Sequence, residues 1–262
     1  MYSINMILSL MQLFKIMSGE GEQIESPNAG GLFDDSEKCN ECSNYPEMAD
    51  IAIVASLHSS SGIDTSVLPP VAHSLYGLSA NAFDAIVRAW MSELPVTAEI
   101  IHFGRKVLAA GGRQAAYRAA TDKGDSDVQS VDGAAYKVWR EFDRLRGLLR
   151  FSPNADGEYT ALCEPDHFVL PALGPHFRER FGQTPWAIID VKRCLSLRCK
   201  NGQAPVLSDA GDCPEITGKR QDGEWENLWR HYHKTINNES RNNAKLQMQF
   251  MPGRYRKYLT EF

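Results

Sequence analysis

The sequence predicts an α+β protein, with helices in its N-terminal half, then a small, mostly antiparallel sheet, then C-terminal helices that pack on the sheet. Three observations support this prediction. Apolar residues recur with helical spacing up to residue 147, they alternate along short segments between residues 148 and 207, and helical spacing returns from residue 224. Helices and strands that are segregated along a chain are typical of the α+β class.

We divide the chain into a leader, residues 1–50, and a single α+β domain, residues 51–262. The domain has a helical part (71–147), a sheet part (148–207) and a C-terminal helical block (224–262). Residues 1–17 are apolar, but they lack the basic region and cleavage site of a signal peptide and are too often interrupted for a membrane span. Either translation starts at Met17 or these residues form a short amphipathic helix. Residues 20–50 are acidic and rich in Gly, Ser and Asn, which predicts a flexible segment.

Charge is distributed unevenly along the chain, although the net charge is only −5. Residues 1–135 hold 8 Lys+Arg and 17 Asp+Glu, a balance of −9, whereas residues 136–262 hold 20 and 16, a balance of +4. The second half is therefore compatible with an anionic partner.

The six cysteines form no dense framework in a chain of 262 residues, so we expect reduced thiols and a cytoplasmic protein without membrane contact. Cys39 and Cys42 have the spacing of a zinc knuckle, but no second pair of ligands accompanies them. We predict no metal site and no cofactor.

The helical part begins with an ambiguous segment, Ile51–Leu57, which fits a strand or a helical turn. A loop is predicted over residues 62–70, where Pro69 and Pro70 exclude a helix. A helix then starts at the Ser79 cap and ends before Pro95. Two further helices are predicted over residues 97–110 and 113–120.

A long helix follows, because apolar residues from Val131 to Leu149 share one face. Lys137, Arg140 and Arg144 lie on the opposite side. They form either a solvated face, in which Glu141 and Asp143 pair with them, or a ridge that faces phosphates.

The sheet part begins with two strands, residues 149–152 and 158–163, joined by a turn over residues 154–157. A short helix over Leu173–Phe181 comes next. Further strands are predicted at residues 186–190, 194–199 and 206–207.

The acid–base candidates are carboxylates and imidazoles of this sheet part. They are Glu164, Asp166, His167, His176 and Asp190. A carboxylate that orients an imidazole raises its pKa, as general-base chemistry requires, and such carboxylates could also hold a divalent metal for phosphodiester hydrolysis. The alternative is structural, with Asp166 capping a turn and His167 packed in the interior. The nucleotide-binding, serine-hydrolase and zinc-protease motifs are missing from the sequence.

The C-terminal block has the strongest helical pattern of the chain. Five apolar residues follow the spacing of one buried face: Trp225, Leu228, Trp229, Tyr232 and Ile236. We predict that the two tryptophans lie in the core.

Cations, asparagines and tyrosines of the same block predict a surface for nucleic acid or for a partner protein. They are Arg230, Lys234, Asn237, Arg241, Asn242, Arg254, Tyr255, Lys257 and Tyr258. Arginine and lysine neutralise phosphates, asparagine offers paired donor and acceptor groups, and aromatic rings stack on exposed bases.

The segment EWENLWRHYHKTINNESRNNAKLQMQFMPGRYRKYLTE is similar to the closing block of a bacterial family of DNA-metabolism or DNA-repair proteins of unknown activity. EPDHFVLPALGPHFRERF and TPWAIIDVKR also resemble that family, and the likeness covers about Val71–Phe262. The family occurs beside a radical-SAM DNA-repair-like protein and as a domain fused to uracil-DNA glycosylases. His233 and Arg256 stand where the family has aromatic residues. The chain lacks the water-activating segment of the glycosylases.

The resemblance implies an accessory protein of DNA repair that binds nucleic acid or a DNA-acting partner enzyme. The two alternatives are a nucleic-acid-processing hydrolase that uses Asp166, His167 and Asp190, and a scaffold for a radical-SAM partner.

Overall fold

The computed structural model describes residues 8–19, 46–59, 62–154, 156–211, 224–236, 238, 243, 245–246, 251 and 253–259. The chain forms two compact units, Ser3–Trp139 and Arg140–Phe262. Within the described ranges, no helix is both long and apolar enough to cross a membrane. The pair Cys39 and Cys42 lies outside these ranges.

The first unit is helical, as predicted. Its helices are α1 (Leu10–Ser18), α2 (Met48–Leu57), a 3-10 turn (Thr65–Val67), α3 (Pro70–Leu78), α4 (Ala80–Trp90), α5 (Thr97–Leu108) and α6 (Arg113–Thr121). Helix α7 (Ser126–Leu148) continues from this unit into the second.

Helix α1 corresponds to the amphipathic helix that was one alternative for residues 1–17. Ser9 caps it, since its hydroxyl accepts a hydrogen bond from the backbone N–H of Gln12 and the Gln12 side chain accepts one from Ser9 N–H. Phe14, on its buried side, stacks on Phe83 with ring centroids 5.9 Å apart. The cap and the apolar spacing together account for this helix.

In the first unit, the structure resolves one ambiguous segment and shifts the end of one predicted loop. Residues 51–57 belong to a helix, α2, so the strand alternative is wrong. The loop predicted up to residue 70 ends one residue early, because Pro70 is the first residue of α3. A proline is tolerated there, since the first helical N–H has no partner within the helix.

The second unit contains a five-stranded sheet, as predicted. Its strands are β1 (Ser152–Pro153), β2 (Tyr159–Cys163), β3 (Trp186–Asp190), β4 (Leu195–Cys199) and β5 (Val206–Asp209). They lie side by side in sequence order, and three of the four pairings are antiparallel. Strands β2 and β3 are parallel and are connected by helix α8 (Leu170–Phe181). The mostly antiparallel sheet is confirmed, whereas its one parallel pair was not foreseen.

Aromatic side chains fill the space between α8 and the sheet. Phe177 of α8 lies 5.0 Å from Phe151 and 6.1 Å from Trp186, measured between ring centroids. Phe177 and Trp186 are fully buried. This packing fixes α8, and with it the chain that connects β2 to α8.

Helices α9 (Glu224–Ile236) and α10 (Gly253–Arg256) complete the described part of the second unit. The prediction that the apolar face of α9 is buried is wrong for its described side chains. The exposed fraction is 56% for Leu228, 40% for Trp229, 51% for Tyr232 and 57% for Ile236. The side chain of Trp225 lies outside the described residues. Helical periodicity shows that a face is apolar, but it does not specify what covers that face.

Candidate functional site

The acid–base candidates gather where the two parallel strands end. Cys163, the last residue of β2, pairs with Asp190, the last residue of β3. The carboxyl ends of parallel strands meet at one edge of a sheet, and ligands of open α/β sheets bind outside that edge. Residues 164–167, which we call the EPDH segment, leave β2 at this edge.

Glu141 of α7 anchors the EPDH segment from one side. Its carboxylate accepts hydrogen bonds from the backbone N–H of Asp166 at 2.8 Å and of His167 at 2.7 Å. The side chain is only 3% exposed. Glu141 is therefore buried against the EPDH segment and does not lie on the solvated face that was one alternative for α7.

Helix α10 closes the network around the same carboxylate. The Tyr255 hydroxyl donates to Glu141 Oε1 at 2.6 Å. Arg254 Nη2 lies 2.6 Å from Asp166 Oδ2 and 3.4 Å from Glu141 Oε1. Burial raises the pKa of Tyr255, and the adjacent negative charge of Glu141 raises it further. Tyr255 is therefore a hydrogen-bond donor at every physiological pH.

Glu164 is bound by two residues that directly follow α10, Lys257 and Tyr258. The Tyr258 hydroxyl donates to Glu164 Oε1 at 2.6 Å, and Lys257 Nζ lies 2.5 Å from the same oxygen. Burial acts to raise the pKa of Glu164, but the hydrogen bonds from Lys257 and Tyr258 outweigh it and hold that pKa below its usual value. Glu164 is consequently ionised at neutral pH.

Asp190 is paired with a cation of its own. Its Oδ2 lies 2.8 Å from Arg193 Nη1, and the two side chains are 0% and 2% exposed, respectively. Arg193 also donates to the backbone carbonyls of Pro165 and Asp166 at 3.1 Å and 2.9 Å. Burial raises the pKa of Asp190, and Arg193 opposes that shift. The pair holds the EPDH segment from the β3 side.

The structure thus brings together four of the five acid–base candidates and separates the fifth. Glu164, Asp166 and His167 belong to the EPDH segment, and Asp190 is linked to it through Arg193. His176 lies on α8, where its charged neighbours are Arg146, Arg180 and Glu179.

The predicted binding residues divide into two groups. Four of them, Arg254, Tyr255, Lys257 and Tyr258, contact the carboxylates of the site described above. Arg230 and Lys234 belong to α9. The placement of Asn237, Arg241 and Asn242 lies outside the described residues.

Chemically, this arrangement fixes a loop at the edge of the sheet. Each carboxylate of the cluster contacts a cation or a tyrosine hydroxyl, and backbone N–H and C=O groups of residues 165–167 are bound as well. In the part of the chain that the structure describes, no group of three or more His, Cys, Asp or Glu side chains is placed to hold a metal ion.

Glu141 and Arg193 were not among the predicted site residues. A signal for Glu141 exists in the sequence: it lies three residues after Val138 and four before Leu145, on the apolar face of α7. A lone carboxylate on a buried face requires a partner, so its position alone indicates a buried polar network. For Arg193, the local sequence offers no comparable signal.

Helix α9 presents a second feature of the unit. We call Leu228, Trp229, Tyr232 and Ile236 the apolar stripe. The rings of Trp229 and Tyr232 lie 5.7 Å apart, and the Arg150 guanidinium lies 5.9 Å from the centre of the Trp229 ring. With 100° between successive residues, Arg230 and Lys234 fall on the side of α9 away from the stripe.

Fold and site define an α+β protein in which the C-terminal helix α10 secures a loop at the end of two parallel strands. A family model described as a domain of unknown function, DUF4130, matches residues 102–261, and the chain belongs to this family. The match includes α7, the sheet, α9 and α10. No curated protein and no solved structure matches the chain significantly.

Proposed function

We propose that this protein is an accessory factor of DNA repair or DNA metabolism that docks on a DNA-acting partner enzyme through the apolar stripe of α9. The observation that supports this role is the exposure of the stripe, in which four large apolar side chains are each 40–57% exposed. Contiguous exposed apolar surface is typical of protein interaction sites.

The chemistry of the stripe favours a protein over a nucleic acid as its occupant. Leu228 and Ile236 have no aromatic ring, so they cannot stack on bases. The spacing of Leu228, Tyr232 and Ile236 is that of a helix whose anchors enter a hydrophobic groove. The cations Arg230 and Lys234 lie on the other side of α9, away from such a groove.

The resemblance described above suggests the class of partner. It implies a radical-SAM DNA-repair-like protein or a uracil-DNA glycosylase. The hydrolase alternative is supported less well, because Asp166 and Asp190 are engaged by Arg254 and Arg193. A general base needs its carboxylate or imidazole within hydrogen-bond reach of a substrate proton.

The test is a binding measurement between the full-length chain and each purified candidate partner, in the presence of nuclease. We expect Trp229→Ala and Tyr232→Ala each to weaken the complex about tenfold or more, since buried aromatic anchors dominate interface energies. Lys234→Ala, on the opposite side of α9, serves as the matched control and should bind like the wild type.

Two outcomes would overturn the proposal. Equal affinities of the wild type and both aromatic variants would place the interface elsewhere. Loss of the complex on nuclease treatment would show that nucleic acid, and not the stripe, connects the two proteins.

A further inference from the structure

Helix α10 and the two residues after it lie at the edge of the sheet where β2 and β3 end. Their sequence over residues 254–258 is Arg-Tyr-Arg-Lys-Tyr, so a cation followed by a tyrosine occurs twice, three residues apart. The Arg254 guanidinium lies 4.8 Å from the centre of the Tyr255 ring. The Lys257 ammonium lies 5.0 Å from the centre of the Tyr258 ring. The segment therefore presents two cation–tyrosine pairs of the same kind.

Each cation–tyrosine pair is bound by carboxylates of its own. The first pair contacts Asp166 through the guanidinium, at 2.6 Å, and Glu141 through the hydroxyl, also at 2.6 Å. The second pair contacts Glu164 through the ammonium at 2.5 Å and through the hydroxyl at 2.6 Å. Hydrogen bonds between ionised groups are about twice as strong as neutral ones, and a phenol hydroxyl adds a directional donor beside them. The three carboxylates thus recognise a cation together with a tyrosine, and not charge alone.

The carboxylates and the EPDH segment also have anchors other than α10. Glu141 accepts two backbone N–H groups of the EPDH segment. Arg193 donates to two backbone carbonyls of the same segment and pairs with the buried Asp190. A site whose groups are fixed before a ligand arrives loses less conformational entropy on binding. The EPDH segment and Glu141 therefore form a preorganised acceptor surface, which we call the acceptor edge.

The segment that occupies the acceptor edge is short and fits it incompletely. Helix α10 has four residues, too few for a helix to be stable on its own. The side chains of Arg254 and Lys257 are 35% and 43% exposed, so water competes for both ion pairs. The Nε atom of Arg254 is buried and has no hydrogen-bond partner within the described ranges, which costs free energy. A segment of the same chemistry that satisfies this donor would bind the acceptor edge better.

We propose that the acceptor edge is a binding site for a segment of a partner protein that carries two cation–tyrosine pairs, and that residues 254–258 occupy it as a displaceable internal ligand. The charges of the closed site are compensated because this segment supplies two cations and two hydroxyl donors. Opening removes all four groups from the carboxylates. A carboxylate that is taken out of water is costly without a partner, so the open site favours a new cation.

The first experiment measures, by fluorescence anisotropy, binding of a fluorescein-labelled peptide with the sequence of residues 253–259, GRYRKYL, to the full chain. In the wild type the internal ligand competes, so the apparent Kd is the intrinsic Kd divided by the fraction of open molecules. The double variant Arg254→Glu/Lys257→Glu weakens the internal ligand and leaves the acceptor carboxylates unchanged. It should bind the peptide about tenfold more tightly than the wild type, or better.

Two controls separate this effect from a change in overall charge. The double variant Arg118→Glu/Lys137→Glu changes the charge by the same amount at exposed positions of the first unit and should bind the peptide like the wild type. A peptide that carries Arg254→Glu and Lys257→Glu should bind neither the wild type nor the open variant.

Hydrogen exchange of the wild type gives a second readout that needs no variant. The backbone N–H groups of Tyr258 and Leu259 donate to the carbonyls of Tyr255 and Arg256. Displacement of the internal ligand takes this turn off the acceptor edge, where Tyr258 and Leu259 are buried. Unlabelled peptide in excess should therefore accelerate exchange of these two amides and leave the amides of β3 unchanged.

Three results would overturn the proposal. One is an open variant, folded by circular dichroism, that binds the peptide no more tightly than the wild type. Another is equal binding of the peptide with reversed charges. The third is unchanged exchange at Tyr258 and Leu259 at a peptide concentration that saturates the anisotropy signal. If the open variant does not fold, Lys257→Gln/Tyr258→Phe, which removes only the contacts to Glu164, takes its place and should also bind the peptide more tightly.

The kind of occupant can be checked with the same peptide. A wild-type dimer that the peptide dissociates would assign the acceptor edge to the equivalent segment of a second copy, and would overturn a separate partner protein. The apolar stripe is a different surface: Trp229→Ala should bind the peptide like the wild type, so failure of either proposal leaves the other standing.

Discussion

Glu141 connects three parts of the second unit through a single carboxylate. It accepts two backbone N–H groups from the EPDH segment and the hydroxyl of Tyr255 from α10. A buried charge is costly unless hydrogen bonds compensate it, and here several donors do so at once. Removing the charge therefore affects the loop and the C-terminal helix together.

We predict that Glu141→Gln lowers the free energy of unfolding by about 3 kcal/mol, because the amide offers one acceptor oxygen where two are used and directs its NH₂ group at donors. Tyr255→Phe, which removes one hydrogen bond to the carboxylate, should cost about 2 kcal/mol. Urea denaturation measures both. A Glu141→Gln protein as stable as the wild type would mean that this network contributes nothing to stability.

The residue types of the site could be predicted from sequence more readily than their partners. Asp166, His167 and Asp190 are acid–base candidates because a carboxylate near an imidazole orients it and raises its pKa. Arg193 pairs with Asp190 only because the chain turns immediately after β3, and Arg254 reaches Asp166 from a distant part of the sequence. Contacts of this second kind depend on the tertiary fold, which local spacing does not specify.

At the scale of secondary-structure elements, the sequence patterns predicted which helices and strands form better than they predicted the surroundings of each element. The Ser79 cap and the alternation before residue 163 identified α4 and β2. The parallel pairing of β2 with β3 was missed, since a strand pattern does not state which neighbour it pairs with or in which direction. Helix α9 has a pattern as regular as that of α4, yet the described side chains of its apolar face are exposed.

The difference in burial between α9 and α8 can be measured as the effect of substitutions on the free energy of unfolding. Leu228→Ala in α9 should change the free energy of unfolding by less than about 0.5 kcal/mol, because the side chain is already exposed. Leu173→Ala in α8 should cost about 2–5 kcal/mol, since that leucine is fully buried and its removal leaves a cavity. Chemical denaturation of the two variants provides the comparison. A cost at Leu228 as large as that at Leu173 would show that the stripe is part of the core.

The whole molecule comprises two compact units that differ in structure and in charge. The first unit is helical and lies almost entirely in the half of the chain with a balance of −9. The second unit contains the sheet and lies in the half with a balance of +4. The net charge of −5 is therefore the sum of two balances of opposite sign, and the charge of each half is the better guide to the partner of that half.

The existence of a core in each unit leads to a prediction for the complete chain. Phe83 in α4 and Leu173 in α8 are fully buried, one in each unit. If each core unfolds cooperatively, calorimetry of the wild type should show two transitions, because a chain with several domains does not unfold in a single step. Phe83→Ala should lower the midpoint of one transition by about 5 °C or more, and Leu173→Ala should lower the other.

Each variant is the control for the other, since the transition that it leaves unchanged reports the intact unit. A single transition that both variants shift by similar amounts would contradict the prediction. It would mean that residues 51–262 unfold as one domain, as the sequence alone suggests. Whether the chain shows one transition or two depends on helix α7. This helix contributes buried residues such as Val131 to the first unit and Leu145 to the second. Two separate transitions require that this helix can fray in one unit while it stays folded in the other.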